Sequence, residues 1–313
     1  MCSSDLYTVA GKLNVSDVDS SSAVQVQTGV AGQYGQFSVG ADGAWSYTAD
    51  NAALQKLNAT GGATERFTVS TADGTARDIT VALAGVNDPA QFSGADSAGV
   101  TEDSGSYTVT GKLNVVDVDS SSAVQVQTGV SGQYGQFSVG ADGAWTYTAD
   151  NAALQKLNAN SGATERFTIR TADGTARDIT VMLAGVNDPA QFSGADTANV
   201  TEDSGSYTVA GKLNVSDVDS SSAVQVQTGV SGQYGQFSVA ADGAWTYTAD
   251  NAALQKLNAT SGATERFTIR TADGTAQDIT VALAGVNDPA QFSGADTANV
   301  TEDSGSYTVT GRL

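Results

Sequence analysis

The sequence predicts an all-β chain of tandem β-sandwich domains, and three observations carry that prediction. A unit of about 100 residues is written three times and begun a fourth. SYTVTGKLNVVDVDSSSAVQVQTGV over 106–130 returns as SYTVAGKLNVSDVDSSSAVQVQTGV over 206–230, and 101–200 differ from 201–300 only at positions 110, 116, 140, 160, 177 and 182. Within a unit, apolar and polar residues alternate with a period of two, the mark of half-buried antiparallel strands. Gly- and Asp-rich turns separate the alternating runs, and only one short run has helical character.

Taken in order through one unit, Tyr107, Val109, Leu113 and Val115 mark a strand with Gly111 between them. Val124 and Val126 mark the next, and Phe137 and Val139 a third. Trp145 and Tyr147 share an inward face, as do Phe167 and Ile169, then Ile179, Val181 and Leu183. Phe192 and Val200 belong to one opening strand of the following unit. Asp142-Gly143 and Asp173-Gly174 favour tight hairpins, because both residue types tolerate positive φ. NAALQKLNA over 151–159 reads as one or two helical turns bridging two strands. Seven or so short strands at this spacing read as a β-sandwich. Five of the six differing positions (110, 116, 160, 177 and 182) fall on the outward phase or in a loop.

Proline sets the domain boundaries. Pro89, Pro189 and Pro289 are the only prolines, each following Val-Asn-Asp. Proline fixes its own φ and disfavours helix in the residue before it, so GVNDPA reads as a short, stiff, extended connector. The expected domains are 1–88, 89–188 and 189–288, with 289–313 the truncated start of a fourth. A period near 100 residues exceeds that of solenoids, so each bead closes its own core. MCSSDL over 1–6 stands where the period predicts a segment like TEDSGS, and it reads as foreign to the repeat. The first domain then lacks its opening strand, while 289–313 is an opening strand without a domain. These defects are complementary, which opens the way to head-to-tail strand donation between molecules.

Composition narrows the function. Fourteen basic residues against 34 acidic ones leave a net charge of −20, which disfavours nucleic acid and anionic membranes and favours divalent cations. Histidine is absent and Cys2 is the only cysteine, so neither a disulfide nor a Cys-based zinc site exists. No run of 18 apolar residues occurs. Near-identical copies in series suit a spacer, stalk or multivalent binder, whose function scales with copy number. Paired carboxylates can serve a glycosidase, but threefold repetition without histidine argues against an enzyme.

Threading the strands up and down gathers acids at the poles that face the connectors. One pole of the second domain carries Glu102-Asp103 in the first turn and Glu165 at the start of ERFTIR. Asp150 ends a strand there, and Asn187-Asp188 leaves from the same end. Across that connector lies Asp217-Val-Asp219. Glu65, Asn87 and Asp88 with Asp117 and Asp119 form the equivalent set at the first junction. Glu202, Asp203, Glu265, Asn287 and Asp288 repeat it at the far pole of the third domain. Hard oxygen ligands on both sides of a short linker suit Ca2+, which takes six to eight oxygens. Crowding four or five carboxylates without a cation costs several kcal/mol even at an effective dielectric near 20. Each motif also has a plainer reading: TED as a turn, ATERF as a surface Glu beside Arg166, Val-Asn-Asp-Pro as an Asx turn, DVDSSS as a solvated loop. Asp142 and Asp173 read as hairpin residues. DVDSSS is no EF-hand, lacking Gly at its sixth position and Glu at its twelfth.

The run from KLNVVDVDSSSA through GQYGQFSVGADGAWTYTADN to ERFTIRTADGTARDITVMLAGVNDPA resembles the VCBS repeat, a cadherin-like sandwich domain of very large bacterial surface proteins. The combination G-x-Y-G-x-F, A-D-G-x-W-x-Y-T and G-x-N-D-P-A carries the resemblance over the whole repeat. It implies tandem Ig-like/cadherin-like β-sandwich domains in an extended array. It further implies extender modules of RTX-type adhesins, exported by type I secretion to the extracellular bacterial cell surface and active in cell adhesion and biofilm. The linker is similar to the cadherin calcium junction. By that similarity Glu102 and Glu165 are pole glutamates, Asn187 and Asp188 linker ligands, and Asp217 and Asp219 the paired aspartates of the next domain. Proline directly after a single connector Asp departs from the cadherin pattern. The implied partners are neighbouring repeats and Ca2+, with host or surface glycans met through other domains. The alternative is a secreted protein whose repeats bind carbohydrate multivalently, with Tyr134 of GQYGQF as the exposed aromatic.

Overall fold

The computed structural model describes residues 7–303, 305 and 308–312, so the expectation about MCSSDL lies outside the described residues. The chain divides into two compact units, one reaching Val186 and the other starting at Asn187. Copy one supplies β1 (Thr8–Lys12), β2 (Gln27–Ala31), β3 (Gly35–Val39), β4 (Ala44–Ala49), α1 (Asn51–Leu54), β5 (Gly62–Ser70) and β6 (Ala76–Ala84). Copy two supplies β7 (Gln91–Gly94), β8 (Ser97–Thr101), β9 (Thr108–Val116), β10 (Gln127–Ser131), β11 (Gly135–Val139), β12 (Ala144–Ala149), α2 (Asn151–Leu154), β13 (Gly162–Arg170) and β14 (Ala176–Ala184). In the second unit, copy three repeats this as β15 (Gln191–Gly194), β16 (Thr197–Thr201), β17 (Thr208–Ser216), β18 (Gln227–Ser231), β19 (Gly235–Val239), β20 (Ala244–Ala249), α3 (Asn251–Leu254), β21 (Gly262–Arg270) and β22 (Ala276–Ala284).

Each complete copy is a sandwich of a five-stranded and a three-stranded sheet. In copy two the orders are β10-β11-β12-β9-β7 and β13-β14-β8, and copy three repeats them. The alternation read from the sequence is what fills the space between the sheets. Phe137, Val139, Trp145 and Tyr147 of the larger sheet and Phe167, Ile169, Ile179, Val181 and Leu183 of the smaller are all buried. Phe137 stacks on Phe167 across the sandwich with centroids 4.6 Å apart, and Tyr147 tilts against Phe167 at 5.8 Å. Truncating such a ring to alanine costs about 3–5 kcal/mol. Gly111 is required opposite Trp145, because a Cβ there would lie 2.3 Å from the indole. The indole N–H donates to the Ala95 carbonyl at 2.8 Å, so the opening segment also caps the buried tryptophan.

Two sequence expectations are corrected. The opening segment forms two strands, not one: β7 pairs antiparallel with β9, and β8 pairs parallel with β14 in the other sheet. Gly94 makes that crossing at φ 106, where a Cβ would meet the Lys112 carbonyl at 2.5 Å. Val124 is buried but makes only an isolated bridge to Thr171, and Val126 is exposed, so this pair is no core strand. The Gln125 N–H donates to the Arg170 carbonyl and its side-chain amide to the Thr171 carbonyl, which draws the segment across to the smaller sheet before β10 begins.

The helical run is a single turn. Asp150 caps it by accepting from the Ala152 N–H, and Leu154 and Leu157 behind it are buried. Thr110, Val116, Asn160, Arg177 and Met182, five of the positions at which copies two and three differ, are exposed. Arg177 pairs with Asp96, and Gln277 in copy three keeps a hydrogen bond to Asp196. Among the described residues, copy one has sheets of four and two strands, β1-β4-β3-β2 and β5-β6. There β1 stops at Lys12, whereas β9 runs on to Val116 because β7 pairs with its last four residues. Among the described residues, no helix is long and apolar enough to cross a membrane.

Candidate functional site

The linkers at 87–90 and 187–190 each lie in a seat made by the copy that follows. In the first unit the Asp88 N–H donates to Asp119 Oδ2 at 3.0 Å, and the Asn87 side-chain amide to Asp173 Oδ2 at 3.3 Å. The Ala90 N–H reaches Asp173 Oδ2 at 3.4 Å and Thr175 Oγ1 at 3.3 Å. From copy one, the Asn58 amide donates to the Asp119 carbonyl at 3.4 Å. The linker is thus held between the Asp117-Val-Asp119 loop and the turn of the β13–β14 hairpin. In the second unit the Asp188 N–H meets Asp219 Oδ2 at 3.2 Å, and Asn187 meets Asp273 Oδ2 at 3.4 Å.

The alternation of β9 carries into this loop. Val118 is 51% exposed while Asp117 and Asp119 turn the other way and are half-buried. Asp117 Oδ1 accepts from the Asp119 N–H at 3.1 Å and the Ser120 N–H at 2.7 Å, an Asx turn that fixes both carboxylates. Asp117 Oδ2 and Asp119 Oδ1 are buried without a hydrogen-bond partner, and so is Asp217 Oδ2 in the second unit. Buried carboxylate oxygens without partners are rare because desolvating them costs about 1–3 kcal/mol or more. A hard cation is the partner such acceptor-only atoms suit. Among the described residues no three His, Cys, Asp or Glu side chains already converge as a metal site. The paired carboxylates of Asp117 and Asp119 are nonetheless oxygen donors of the kind Ca2+ takes.

Glu102 and Glu202 stand where the linkers leave. Glu102 is 1% exposed, on the phase of buried Val100, and its Oε2 accepts from the Val186 N–H at 2.8 Å. Glu202 Oε2 accepts from the Val286 N–H at 2.7 Å, and its Oε1 is buried without a hydrogen-bond partner. Asn287 and Asp288 beyond it are exposed.

The structure gives the other predicted ligands different work. Glu165 lies opposite Val181, three residues inside the sheet end, on the same face as Phe167 and Ile169. Its Oε1 accepts from the Gln133 and Tyr134 N–H groups and its Oε2 from the Tyr147 hydroxyl. Burial first, and then this carboxylate, push the Tyr147 hydroxyl far above its usual range. Glu65 and Glu265 make the same bonds with Tyr47 and Tyr247. Gly132 is needed here, since a Cβ would strike Glu165 Oε1 at 2.2 Å, so GQYG and ATERF are two halves of one staple. These glutamates are corrected from linker-facing ligands to core acceptors. Asp103 and Asp203 are likewise corrected: they are exposed at φ 52 and 53 and accept from Gln155 and Gln255 beside the short helices.

Asp173 lies in its hairpin turn as expected, and it and its counterpart Asp273 also reach the linker. Burial opposes the charge of Asp173. Hydrogen bonds from Thr171, Thr175 and Asn87 together outweigh it and hold the carboxyl far below the usual carboxylate range. No local pattern announces a contact 86 residues away. Tyr134, expected to be exposed, is half-buried against the core and accepts from Gln133 at 3.1 Å.

The sequence profile described as bacterial cadherin-like domain matches residues 87–185 and 187–285. No curated protein matches the chain. Among solved structures, protocadherin gamma B2 extracellular cadherin domains 1–5 are 11% identical with a TM-score of 0.40, over 86% of this chain and 53% of that one. The chain thus spans about half the length of that relative. Mouse clustered PcdhgC3 EC1–3 is 13% identical with a TM-score of 0.37, over 84% of this chain and 89% of that one. An adhesin described as Ca2+-stabilized, helping an Antarctic bacterium reach out and bind ice, is 16% identical with a TM-score of 0.24, over 90% and 68%.

Proposed function

The chain belongs to the bacterial cadherin-like domain family, and we propose that it is an extender segment of a large bacterial surface adhesin, stiffened by Ca2+ where one repeat meets the next. The observation that carries this reading is the set of buried, partnerless carboxylate oxygens of Asp117, Asp119 and Asp217 beside the linkers. Asn87, Asp88, Asp117 and Asp119 would hold the ion at one junction, and Asn187, Asp188, Asp217 and Asp219 at the next. Glu102 and Glu202 stand ready at the linker exits. Bound there, Ca2+ supplies two positive charges to oxygens that otherwise repel.

The chain's own residues do the rest. The Asx turn of Asp117 points both aspartates one way, and Pro89 and Pro189 limit the torsions of the connector. Asp173 and Asp273 tether the linker asparagines. Without the ion, small contacts between domains permit motion; with it, each junction holds one angle and the array projects a distal binding domain. The repeating mechanical units are then 89–188 and 189–288, of VCBS type, in an RTX-like adhesin exported by type I secretion and serving surface attachment and biofilm. Outside the cell, millimolar Ca2+ fills sites of the weak extracellular class. The rival, multivalent carbohydrate binding, is the weaker reading, since Trp145 and Tyr147 are buried and Tyr134 packs on the core.

Calorimetric titration of Ca2+ into the chain tests the reading. Saturable uptake with dissociation constants of about 10⁻⁴–10⁻³ M supports it. No uptake at millimolar Ca2+ overturns it.

A further inference from the structure

The acceptor pattern for asparagine-linked sugar, Asn-x-Ser/Thr, is written three times in copy three and nowhere in copy two. Copy three has it at Asn199-Val-Thr201, Asn214-Val-Ser216 and Asn258-Ala-Thr260. Aligned from proline to proline, 89–188 and 189–288 differ at eight positions, and three of those differences erase the three patterns: Gly99 for Asn199, Val116 for Ser216 and Asn160 for Thr260. Two of the three lie on strands, where the period of two decides what they present. Asn199 and Thr201 of β16 and Asn214 and Ser216 of β17 are exposed. The valine between each pair faces inward, Val200 at 2% exposed and Val215 packed against the core. The amide and the hydroxyl that a transferase reads therefore stand on one open face. The third pattern is closed on itself: the Thr260 N–H and hydroxyl both donate to Asn258 Oδ1, at 2.9 and 2.7 Å.

The surroundings of Asn199 leave room for a substituent. Among the described residues β16 is an edge of the smaller sheet, in the order β16-β22-β21, so one flank of Asn199 is open. On the other flank Asn199 faces Ala282, and the equivalent pair in copy two is Gly99 and Met182. The bead with the asparagine keeps only a methyl group beside it. The bead without it fills that place with a long side chain, 55% exposed. Asn214 likewise faces a small residue, Ser193 of β15.

We propose that Asn199 and Asn214 are acceptors for a sugar, delivered from a nucleoside-diphosphate sugar by an asparagine glycosyltransferase. The asparagine Nδ2 forms a bond to the anomeric carbon, the bond from that carbon to the phosphate oxygen breaks, and the nucleoside diphosphate leaves with the electron pair. The amide gives up one proton to a base of the transferase. A sugar on Asn199 lies over the free edge of β16, where a bulky, solubilising group blocks strand pairing with other chains. Copy two stays bare, so beads that share one fold differ in surface chemistry. Nothing in this modification requires Ca2+ at the linkers.

The test makes the whole chain in a bacterium together with a soluble asparagine glucosyltransferase, which takes UDP-glucose as donor and acts while the chain is being synthesised. Peptide mass spectrometry of the folded product finds hexose on Asn199 and Asn214 and none on Asn114 of copy two. Thr201→Val abolishes the hexose on Asn199, and Gly99→Asn with Met182→Ala brings one to copy two. Calorimetry in chelator gives the modified and unmodified chains the same melting profile. Absence of hexose from either asparagine overturns its assignment, and so does hexose on Asn199 that survives Thr201→Val. A modified chain that has lost part of its melting transition overturns the proposal as well, because the face was then not open to the substituent.

Discussion

Replacing Asp117 and Asp217 by asparagine separates the two roles of this aspartate. Oδ1 of Asp117 accepts two backbone N–H bonds, at 3.1 and 2.7 Å, and the asparagine carbonyl oxygen keeps both. Oδ2 is buried without a partner, and the substitution replaces it with a neutral amide. In chelator, the Asp117→Asn/Asp217→Asn chain should therefore melt at or above the wild-type temperature, because one of two adjacent carboxylates loses its charge. In Ca2+ the order reverses. At tenfold the dissociation constant, one site stabilises the wild type by about 1.4 kcal/mol, which raises the melting of a 100-residue domain by about 5–10 °C. A tenfold weaker site leaves about 0.4 kcal/mol, or about 2–3 °C. Differential scanning calorimetry with and without Ca2+ reads both numbers. A variant that keeps the full Ca2+ increment refutes the role of Asp117, and a wild type without an increment refutes the site.

Glu165→Ala should destabilise copy two by about 3 kcal/mol, since the buried Tyr147 hydroxyl and two backbone N–H groups lose their acceptor. Chemical denaturation should show that loss while the Ca2+ increment stays unchanged. Asp173 has a folded carboxyl held far below its usual range, so the folded state binds fewer protons than the unfolded one in that window. Its contribution is fully present above the ordinary value of about 3.9 and is lost as pH falls below it. Asp173→Asn should flatten the acid limb of a melting-temperature series recorded in chelator; an unchanged limb contradicts the tether.

Much of this was legible in the alternation. Phe137, Val139, Trp145, Tyr147, Phe167, Ile169 and Ile179 are buried as the period of two demands, and Asp117 and Asp119 share one direction with Val118 turned out. The same parity, applied to ATERFTIR, puts Glu165 on the face of Phe167 and Ile169; taking it as a linker ligand let charge override phase. It also places Glu102 with Val100, inward, where the structure has it. Two features lay beyond local pattern. The opening segment splits between sheets because Gly94 turns the backbone at φ 106, and a glycine between two apolar residues does not announce which sheet each will join. Asp173 serves its own turn by local rules and meets Asn87 only through the fold.

The central claim is that a shared divalent ion sets the angle between neighbouring repeats. Small-angle scattering of the chain, in Ca2+ and in chelator, tests it most directly. A longer maximum dimension with a narrower distance distribution in Ca2+ is the predicted result. Superimposable curves under the two conditions would contradict it.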